Sequence, residues 1–144
     1  MVVTVDLAAL DLDEYPTRGG LLRVAFPFDS AVGTASTAAM LVELEPGGVL
    51  PTHADSAEEA ILVLEGAAEL NVNGSSDSLS EGVVAVVPAM VPHSIRNVGQ
   101  THLRVLGFFS SAGVLATFAR PLTEGGPRSI VIGAPFPLAV AAAE

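Results

Sequence analysis

Apolar residues fall along this chain in short runs, separated by turn-forming glycine, proline and asparagine. With 14 Gly and 10 Pro distributed through the sequence, the runs stay brief. Short β-branched and apolar runs bounded by such residues predict β-strands. The predicted strands are Leu21–Phe26, Ala38–Glu45, Ala60–Leu64, Ala67–Asn73, Val83–Val87, Pro92–Asn97 and Leu103–Phe109. Repeated short strands favour an all-β sandwich or barrel over an α/β fold.

The predicted strands differ in how many of their faces are apolar. Ala67–Asn73 alternates, so one of its faces is expected to point inward and the other to water. Ala38–Val42, Ala60–Leu64 and Val83–Val87 are apolar on both faces and need cover on both sides. We expect a second copy of the chain, in a homodimer, to cover the outer face of the sheet. The alternative is that the N- and C-terminal segments fold over the outer face.

The ends of the chain are expected to belong to the same single domain, residues 1–144, around a core barrel at about 20–110. Ser111–Arg120 predicts at most a short amphipathic helix. The segment from Arg128 to Glu144 contains Pro135 and Pro137 and indicates an extended arm. Both terminal arms are expected to pack on the barrel or on a partner subunit.

Composition limits the classes of partner. There are 6 basic and 16 acidic residues, a net charge of −10, which disfavours nucleic acid and anionic membranes. Cysteine is absent, which excludes disulfides and thiolate metal sites. The N-terminus lacks the pattern of a secretory signal, and no apolar run is long enough to cross a bilayer. We therefore expect a cytoplasmic protein with a small-molecule ligand and no nucleic-acid or membrane partner.

Two histidine-bearing segments carry the candidate chemistry. His53 and Asp55 share one face of an extended segment, and Glu59 begins the next strand. The second segment carries His93. If both faces point into the barrel, two imidazoles and one or two carboxylates converge. That set is used by non-haem iron sites and by catalytic zinc sites with an open position.

Glycines and prolines at fixed spacing frame these histidines. The first segment reads Gly47-x5-His53-x-Asp55-x3-Glu59-x6-Gly66, and the second reads Gly82-x5-Pro88-x4-His93-x3-Asn97. The pair resembles the two motifs of the cupin superfamily, G-x5-H-x-H-x3,4-E-x6-G and G-x5-P-x-G-x2-H-x3-N, and matches four of the five key positions in each. The resemblance implies a double-stranded β-helix of the jelly-roll type, usually dimeric, with a metal inside.

The resemblance also assigns roles to these residues. His53 and His93 match metal-binding histidines, and Glu59, rather than its neighbour Glu58, matches the carboxylate ligand. Asp55 stands where the family carries a second histidine. Three outcomes are open for Asp55: an oxygen ligand in a site for Mn, Fe or Zn, a general base beside a three-ligand metal, or a site that binds metal weakly or not at all. Asp55 and Glu59 are the candidate catalytic residues.

Met90 stands where the second family motif has a glycine. A methionine there suggests a backbone without positive φ, stiffened by Pro88 and Pro92. Met90 is then either a flexible wall of the pocket or part of a surface turn. By strand alternation the expected pocket residues are Met40, Val42, Ile61, Val63, Met90, Ile95 and Phe108.

The function that follows is a metal-dependent enzyme with one divalent ion, Fe, Mn or Zn. Because no Lys or Arg clearly lines the expected pocket, we expect a small, mostly apolar, oxygen-bearing substrate and a dioxygenase-type reaction. One alternative is a metal-assisted isomerase, cyclase or lyase. Another is a non-catalytic small-molecule-binding or sensor protein.

Overall fold

The structure, a computed structural model, describes residues 2–133 and is almost entirely β. Twelve strands are present in this range, and all seven predicted strands are among them. The bounds are β1 Asp13–Thr17, β2 Gly20–Ala25, β3 Ala38–Leu44, β4 Val49–Asp55, β5 Glu59–Glu65, β6 Ala67–Val72, β7 Ser75–Ser80, β8 Val84–Val87, β9 His93–Asn97, β10 Leu103–Phe109, β11 Val114–Phe118 and β12 Ser129–Ile132. Short 3-10 helices lie at Leu7–Ala9 and Ser30–Val32.

The strands form two antiparallel six-stranded sheets. The first sheet has the order β1-β2-β3-β10-β5-β8, and the second has the order β12-β11-β4-β9-β6-β7. Strands distant in sequence are neighbours in both sheets, which is the connectivity of a jelly roll. The predicted all-β fold is confirmed. Among the described residues no helix is long and apolar enough to cross a membrane.

The apolar inner faces of the two sheets pack together into one core. Its members come from both sheets and include Leu22, Val42, Leu44, Leu50, Ile61, Val63, Leu70, Ile95, Leu103 and Val105. Side chains alternate along a strand, so the central strands direct about every second residue into this core. The strands that carry His53, Glu59 and His93 therefore direct these polar groups into the same interior.

The short helix allowed within residues 111–120 does not form, and a strand takes its place. Val114–Phe118 forms β11, which pairs with β4 on one side and with β12 on the other. Val114, Ala116 and Phe118 are buried in alternation with half-buried neighbours, which is the period of a strand. A short apolar segment fits both periods, and pairing with β4 decides between them. The sheets also extend beyond the expected barrel of about 20–110, since β1, β11 and β12 lie outside it.

The N-terminal segment covers part of the outer face of the first sheet. Ala25, Ala39, Leu41 and Leu106 form a buried cluster on that face. Leu7, Leu10, Leu12, Phe28 and Leu64 pack against it. The N-terminal segment thus provides part of the cover that was expected from the terminal segments. The expected C-terminal arm lies largely in residues 134–144, outside the described residues, and the homodimer stays a prediction.

Asn97, the last residue of the second motif, joins two turns at one end of the barrel. Its side chain is 1% exposed. Nδ2 donates to the carbonyls of Leu44 (2.9 Å) and Thr101 (2.8 Å), and Oδ1 accepts from the Gly99 amide at 2.9 Å. The amide thus holds the end of β3 to the β9–β10 turn. Its role in this fold is structural.

We predict that Asn97→Ala lowers the free energy of unfolding by about 2–4 kcal/mol, because three hydrogen bonds are lost and buried carbonyls stay unpaired. Urea denaturation measures this change. Asn71→Ala is the matched control, because Asn71 makes its side-chain hydrogen bonds to Ser76 and Gly74 at the exposed surface. There water replaces the lost partners, and we expect a loss of about 1 kcal/mol or less. Equal losses in the two variants would contradict the structural role of Asn97.

Candidate metal centre

His53 and His93 face each other on paired strands. β4 and β9 are neighbours, and His53 lies opposite His93 in their register. The ring centroids are 4.3 Å apart, and each side chain is 2% exposed. A bulge between Leu50 and His53 interrupts the register before the histidine. Bulges of this kind re-aim side chains at functional sites.

Backbone carbonyls fix the same tautomer in both histidines. His53 Nδ1 lies 2.8 Å from the Pro51 carbonyl, and His93 Nδ1 lies 2.9 Å from the Val91 carbonyl. A carbonyl oxygen only accepts, so each Nδ1 must carry the hydrogen. When the ring is neutral, each Nε2 then has a free lone pair. A backbone carbonyl on Nδ1 is a usual partner of histidines that bind metal through Nε2.

Asp55 places a buried carboxylate against both imidazoles. Asp55 Oδ2 lies 3.3 Å from His93 Nε2 and 3.7 Å from His53 Nε2. The residue is 3% exposed, and neither of its carboxylate oxygens has a hydrogen-bond partner. A buried carboxylate without partners is energetically unfavourable unless a cation compensates its charge. Asp55 therefore has the surroundings of a cation ligand.

The three residues form one cluster that could hold a metal ion. The candidate ligand atoms of His53, Asp55 and His93 all lie within 4.8 Å of one another. Two imidazole nitrogens and one carboxylate oxygen suit Fe, Mn or Zn. The Asp55 oxygens, which lack a hydrogen-bond partner, and the two Nε2 atoms that face them fit a bound divalent cation.

Glu59 adds a second carboxylate from the opposite sheet. It begins β5, is 3% exposed, and its Oε1 lies 3.3 Å from His93 Nε2. Glu58 is exposed, as alternation along the strand requires. Glu59 stands outside the three-residue cluster and contacts the site through His93. With neutral histidines, the two carboxylates give the site two negative charges, which one divalent cation would balance.

A glycine that the sequence analysis did not single out makes room for Glu59. Gly107 lies in the middle of β10, opposite Ile61. A Cβ at Gly107 would overlap Glu59 Oε2 and lie 3.1 Å from Glu59 Cδ. A glycine inside a strand often marks such a close approach, and this is the signal that could have identified it.

Burial and the two carboxylates set the protonation of the site. Burial lowers the pKa of His53, although the Asp55 charge opposes that shift. Burial raises the pKa of Glu59 to about 7, against the hydrogen bond from His93. Burial alone would lower the pKa of His93, but Asp55 and Glu59 beside it raise that pKa to about 10. Near neutral pH, His93 therefore holds a proton that a bound metal would have to displace.

A cavity of about 230 Å³ reaches the site through His53. Its apolar lining comes from both sheets and from the β11–β12 loop: Leu22, Val24, Phe26, Met40, Val42, Leu50, Ala116, Phe118, Leu122, Pro127, Ile130 and Ile132. Its polar lining consists of Tyr15, His53 and Thr123, and no Lys, Arg, Asp or Glu is among the lining residues. Tyr15 is 45% exposed and His53 is 2% exposed, so the cavity runs from solvent to the metal cluster. Such a cavity suits a small apolar molecule.

Of the seven residues expected to form the pocket, only two line the cavity. Met40 and Val42 line the cavity. Ile61, Val63 and Ile95 are instead buried in the packed core and are not among its lining residues. Phe108 is 39% exposed because it points outward from β10, between the inward-facing Gly107 and Phe109. The prediction that Phe108 lines the pocket is therefore wrong.

Met90 also lies outside the cavity, and its expected backbone conformation is wrong. It is 64% exposed, in the turn before β9, with a φ of 66°. The backbone keeps the left-handed conformation that glycine adopts easily, although this conformation is strained for methionine. This geometry lets the Met90 amide donate to the Asp55 carbonyl at 2.7 Å. Met90 thus helps to position Asp55 through its backbone.

The fold and site thus define a jelly-roll protein with a buried His/Asp/His cluster that could hold a metal ion. A family model described as a cupin domain matches residues 40–109, which include both histidine segments. Residues 40–109 of this chain thus match the cupin family. No match was found among curated protein sequences.

Solved structures similar to this chain have the same fold. The Schizosaccharomyces pombe Cnp3 cupin domain is 24% identical, with a TM-score of 0.65, over 77% of this chain and 75% of that one. Lactobacillus farciminis oxalate decarboxylase is 27% identical, with a TM-score of 0.61, over 70% of this chain and 31% of that one. Bacillus subtilis oxalate decarboxylase, which has Mn(II) centres, is 25% identical, with a TM-score of 0.58, over 69% of this chain and 28% of that one. This chain thus matches about a third of either decarboxylase.

We predict that Gly107→Ala weakens metal binding about 10–100-fold while the fold is retained, the range typical for disturbing a residue that supports a metal ligand. The new Cβ would push the flexible end of Glu59 away from His93 rather than displace backbone. Calorimetric titration with Mn(II) and thermal denaturation measure the two effects. Gly99→Ala is the control, because the nearest atom to its Cβ would be 3.5 Å away. Unchanged metal affinity in Gly107→Ala would show that the position of Glu59 does not matter for binding.

Proposed function

We propose that this protein is a metal-dependent enzyme that oxidises a small, mostly apolar, oxygen-bearing molecule, in the manner of a dioxygenase. The observation that carries the proposal is the Asp55 carboxylate, which is buried without a hydrogen bond and lies 3.3 Å and 3.7 Å from the Nε2 atoms of His93 and His53. The Mn(II) centres of the B. subtilis relative support a metal at the corresponding place.

The proposed ligands are His53, Asp55 and His93, with Glu59 as a fourth ligand or as a proton carrier. A divalent metal bound there would supply Lewis-acid binding of a substrate oxygen and, as Fe or Mn, redox chemistry with oxygen. The protein itself contributes fixed imidazole orientation through Pro51 and Val91. Glu59, whose pKa is raised to about 7, can take up or release a proton near neutral pH.

The cavity determines the proposed substrate class. Its walls are apolar and exclude water from a bound molecule, and none of its lining residues is cationic. A small dianion such as oxalate would find no positive side chain to pair with there. Similarity to two oxalate decarboxylases therefore supports the metal site more than it supports their substrate. We infer a neutral or singly charged molecule with one oxygen directed towards His53.

A metal-assisted lyase is the second candidate. Two observations favour it: the similarity to decarboxylases and a Glu59 carboxyl that titrates near neutral pH. In this case the metal would polarise the substrate, Asp55 or Glu59 would move a proton, and oxygen would not be consumed. The apolar cavity serves both candidates equally.

We predict that the protein binds about one divalent metal ion per chain, and that Asp55→Ala weakens this binding at least about 100-fold, more than the loss of an outer partner would. Metal analysis of protein purified without added metal, followed by titration with Fe(II), Mn(II) and Zn(II), measures both quantities. Glu58→Ala is the matched control, because Glu58 is an exposed neighbour of Glu59. Absence of metal, together with no binding of any of the three ions, would refute both candidate functions.

We predict oxygen consumption by the metal-loaded protein with at least one member of a panel of catechols, diketones and flavonoids. His93→Ala should abolish turnover, because it removes one ligand and the proton partner of Glu59. Glu58→Ala should retain it. Product formation without oxygen uptake would favour the lyase. Tight ligand binding without any turnover would favour a non-catalytic sensor.

A further inference from the structure

The outer face of the first sheet is only partly covered. Two cross-strand rows of apolar residues run along it: Leu41–Leu106–Leu62–Val84 and Ala39–Phe108–Ala60–Val86. The N-terminal segment and Phe28 cover the β3 side of these rows. At the β8 edge, Val84 is 55% exposed, Val86 is 62% exposed and Phe108 is 39% exposed. We call these three side chains the β8 patch.

The described residues end at Gly133, which a short series of contacts connects to this patch. Gly133 follows β12 and packs against Ser30 and the Ala112 carbonyl. Ala112 lies three residues after Phe109, the last residue of β10. In the register of the sheet Phe109 pairs with Glu59, and Glu59 pairs with Val87. The Phe108 ring lies 6.4 Å from the Phe28 ring, in the segment that leads to Ser30. The C-terminal segment therefore starts at the end of the sheet nearest Phe108 and Val86.

We propose that residues 134–144 dock on the β8 patch of the same chain. The segment reads APFPLAVAAAE and has a single charged side chain, Glu144. Phe136, Leu138 and Val140 occupy every second position, so an extended segment presents all three on one side. Pro135 and Pro137 have no amide hydrogen, which suits a segment laid over a face rather than one paired in a ladder.

The length of the segment fits this docking. The eleven residues (144 − 133) after Gly133 can extend up to about 36 Å. β10 and β8 are separated by two strand spacings, about 10 Å. The segment can thus cross from Phe108 to Val84 with residues to spare.

The size of the β8 patch favours a segment over a second copy of the chain. Three partly exposed side chains present on the order of 300 Å², whereas a stable interface buries about 800 Å² on each partner. A tethered segment also competes well, since a short link gives an effective concentration on the order of millimolar. Docking completes the apolar cover that the N-terminal segment begins. It does not depend on the proposed catalytic function.

Disulfide trapping tests the proposal, because the natural chain has no cysteine. In Val86→Cys/Leu138→Cys, mild oxidation should form a disulfide within one chain, read by non-reducing peptide mass mapping. At about 10 µM protein the effective concentration of a docked pair exceeds the bulk concentration by roughly 100-fold, so bonding within the chain should dominate. Val86 is exposed, so the substitution leaves the fold intact.

Val98→Cys/Leu138→Cys is the matched control. Val98 is also an exposed valine, but it lies beyond the opposite end of β10, in the β9–β10 turn. The five residues from Gly133 to Leu138 reach about 17 Å, less than the length of that strand, about 20 Å. We expect disulfide formation at least about tenfold slower in the control, given that effective concentration. Equal rates of disulfide formation in the two variants would overturn the proposal. Disulfides between chains, or no disulfide at all in the Val86→Cys/Leu138→Cys variant, would also overturn it. Links between the cysteines at position 86 of two chains would assign the patch to a second copy.

Discussion

The buried Asp55 carboxylate is the constraint on which the rest of the site depends. It lies in the protein interior with no hydrogen bond to either oxygen and with an imidazole Nε2 on each of two neighbouring strands. An unpaired charge in such a place is stable only with a compensating cation. Without metal, the compensation falls to a proton on His93, whose pKa is raised to about 10. A divalent ion would replace that proton, so the same geometry explains both the shifted pKa and the capacity for metal.

Main-chain hydrogen bonds keep the cluster in place. Pro51 and Val91 orient the two imidazoles, and the Met90 amide binds the Asp55 carbonyl from the turn before β9. These contacts depend on the β4–β9 register, which Asn97 stabilises by closing the turns at the other end of β9. The second motif therefore has two physical roles: His93 supplies a site group, whereas Asn97 maintains the strand that carries it.

The all-β fold could be predicted from the sequence, because strand periodicity is a local pattern. Periodicity also indicates that His53 and Asp55 share a face, whereas the convergence of His53 and His93 was expected from the resemblance to the cupin motifs. Features set by packing between strands were missed. β11 is not among the predicted strands, because a short apolar segment satisfies both the helical and the strand period until β4 pairs with it. The polar β7 has no apolar pattern, and Gly107 acquires its role only when β10 lies beside Glu59. Met90 was misjudged because residue preference alone does not reveal that the turn tolerates strain.

The replacement of the family histidine by Asp55 and the apolar cavity are physically consistent with each other. With an aspartate there, two carboxylates and two neutral imidazoles would leave a divalent ion with no net charge, whereas an additional histidine would leave a positive site. A positive site attracts a dianion such as oxalate, and a cavity for that ligand would also benefit from cationic walls. Here the balanced site opens on walls with no cationic side chain. Under the proposed function, a neutral or singly charged molecule would be bound by apolar burial along the walls, and a metal held by the cluster would fix the position of one oxygen. Under the proposed function, Asp55 would thus link the charge of the metal site to the class of molecule that the barrel binds.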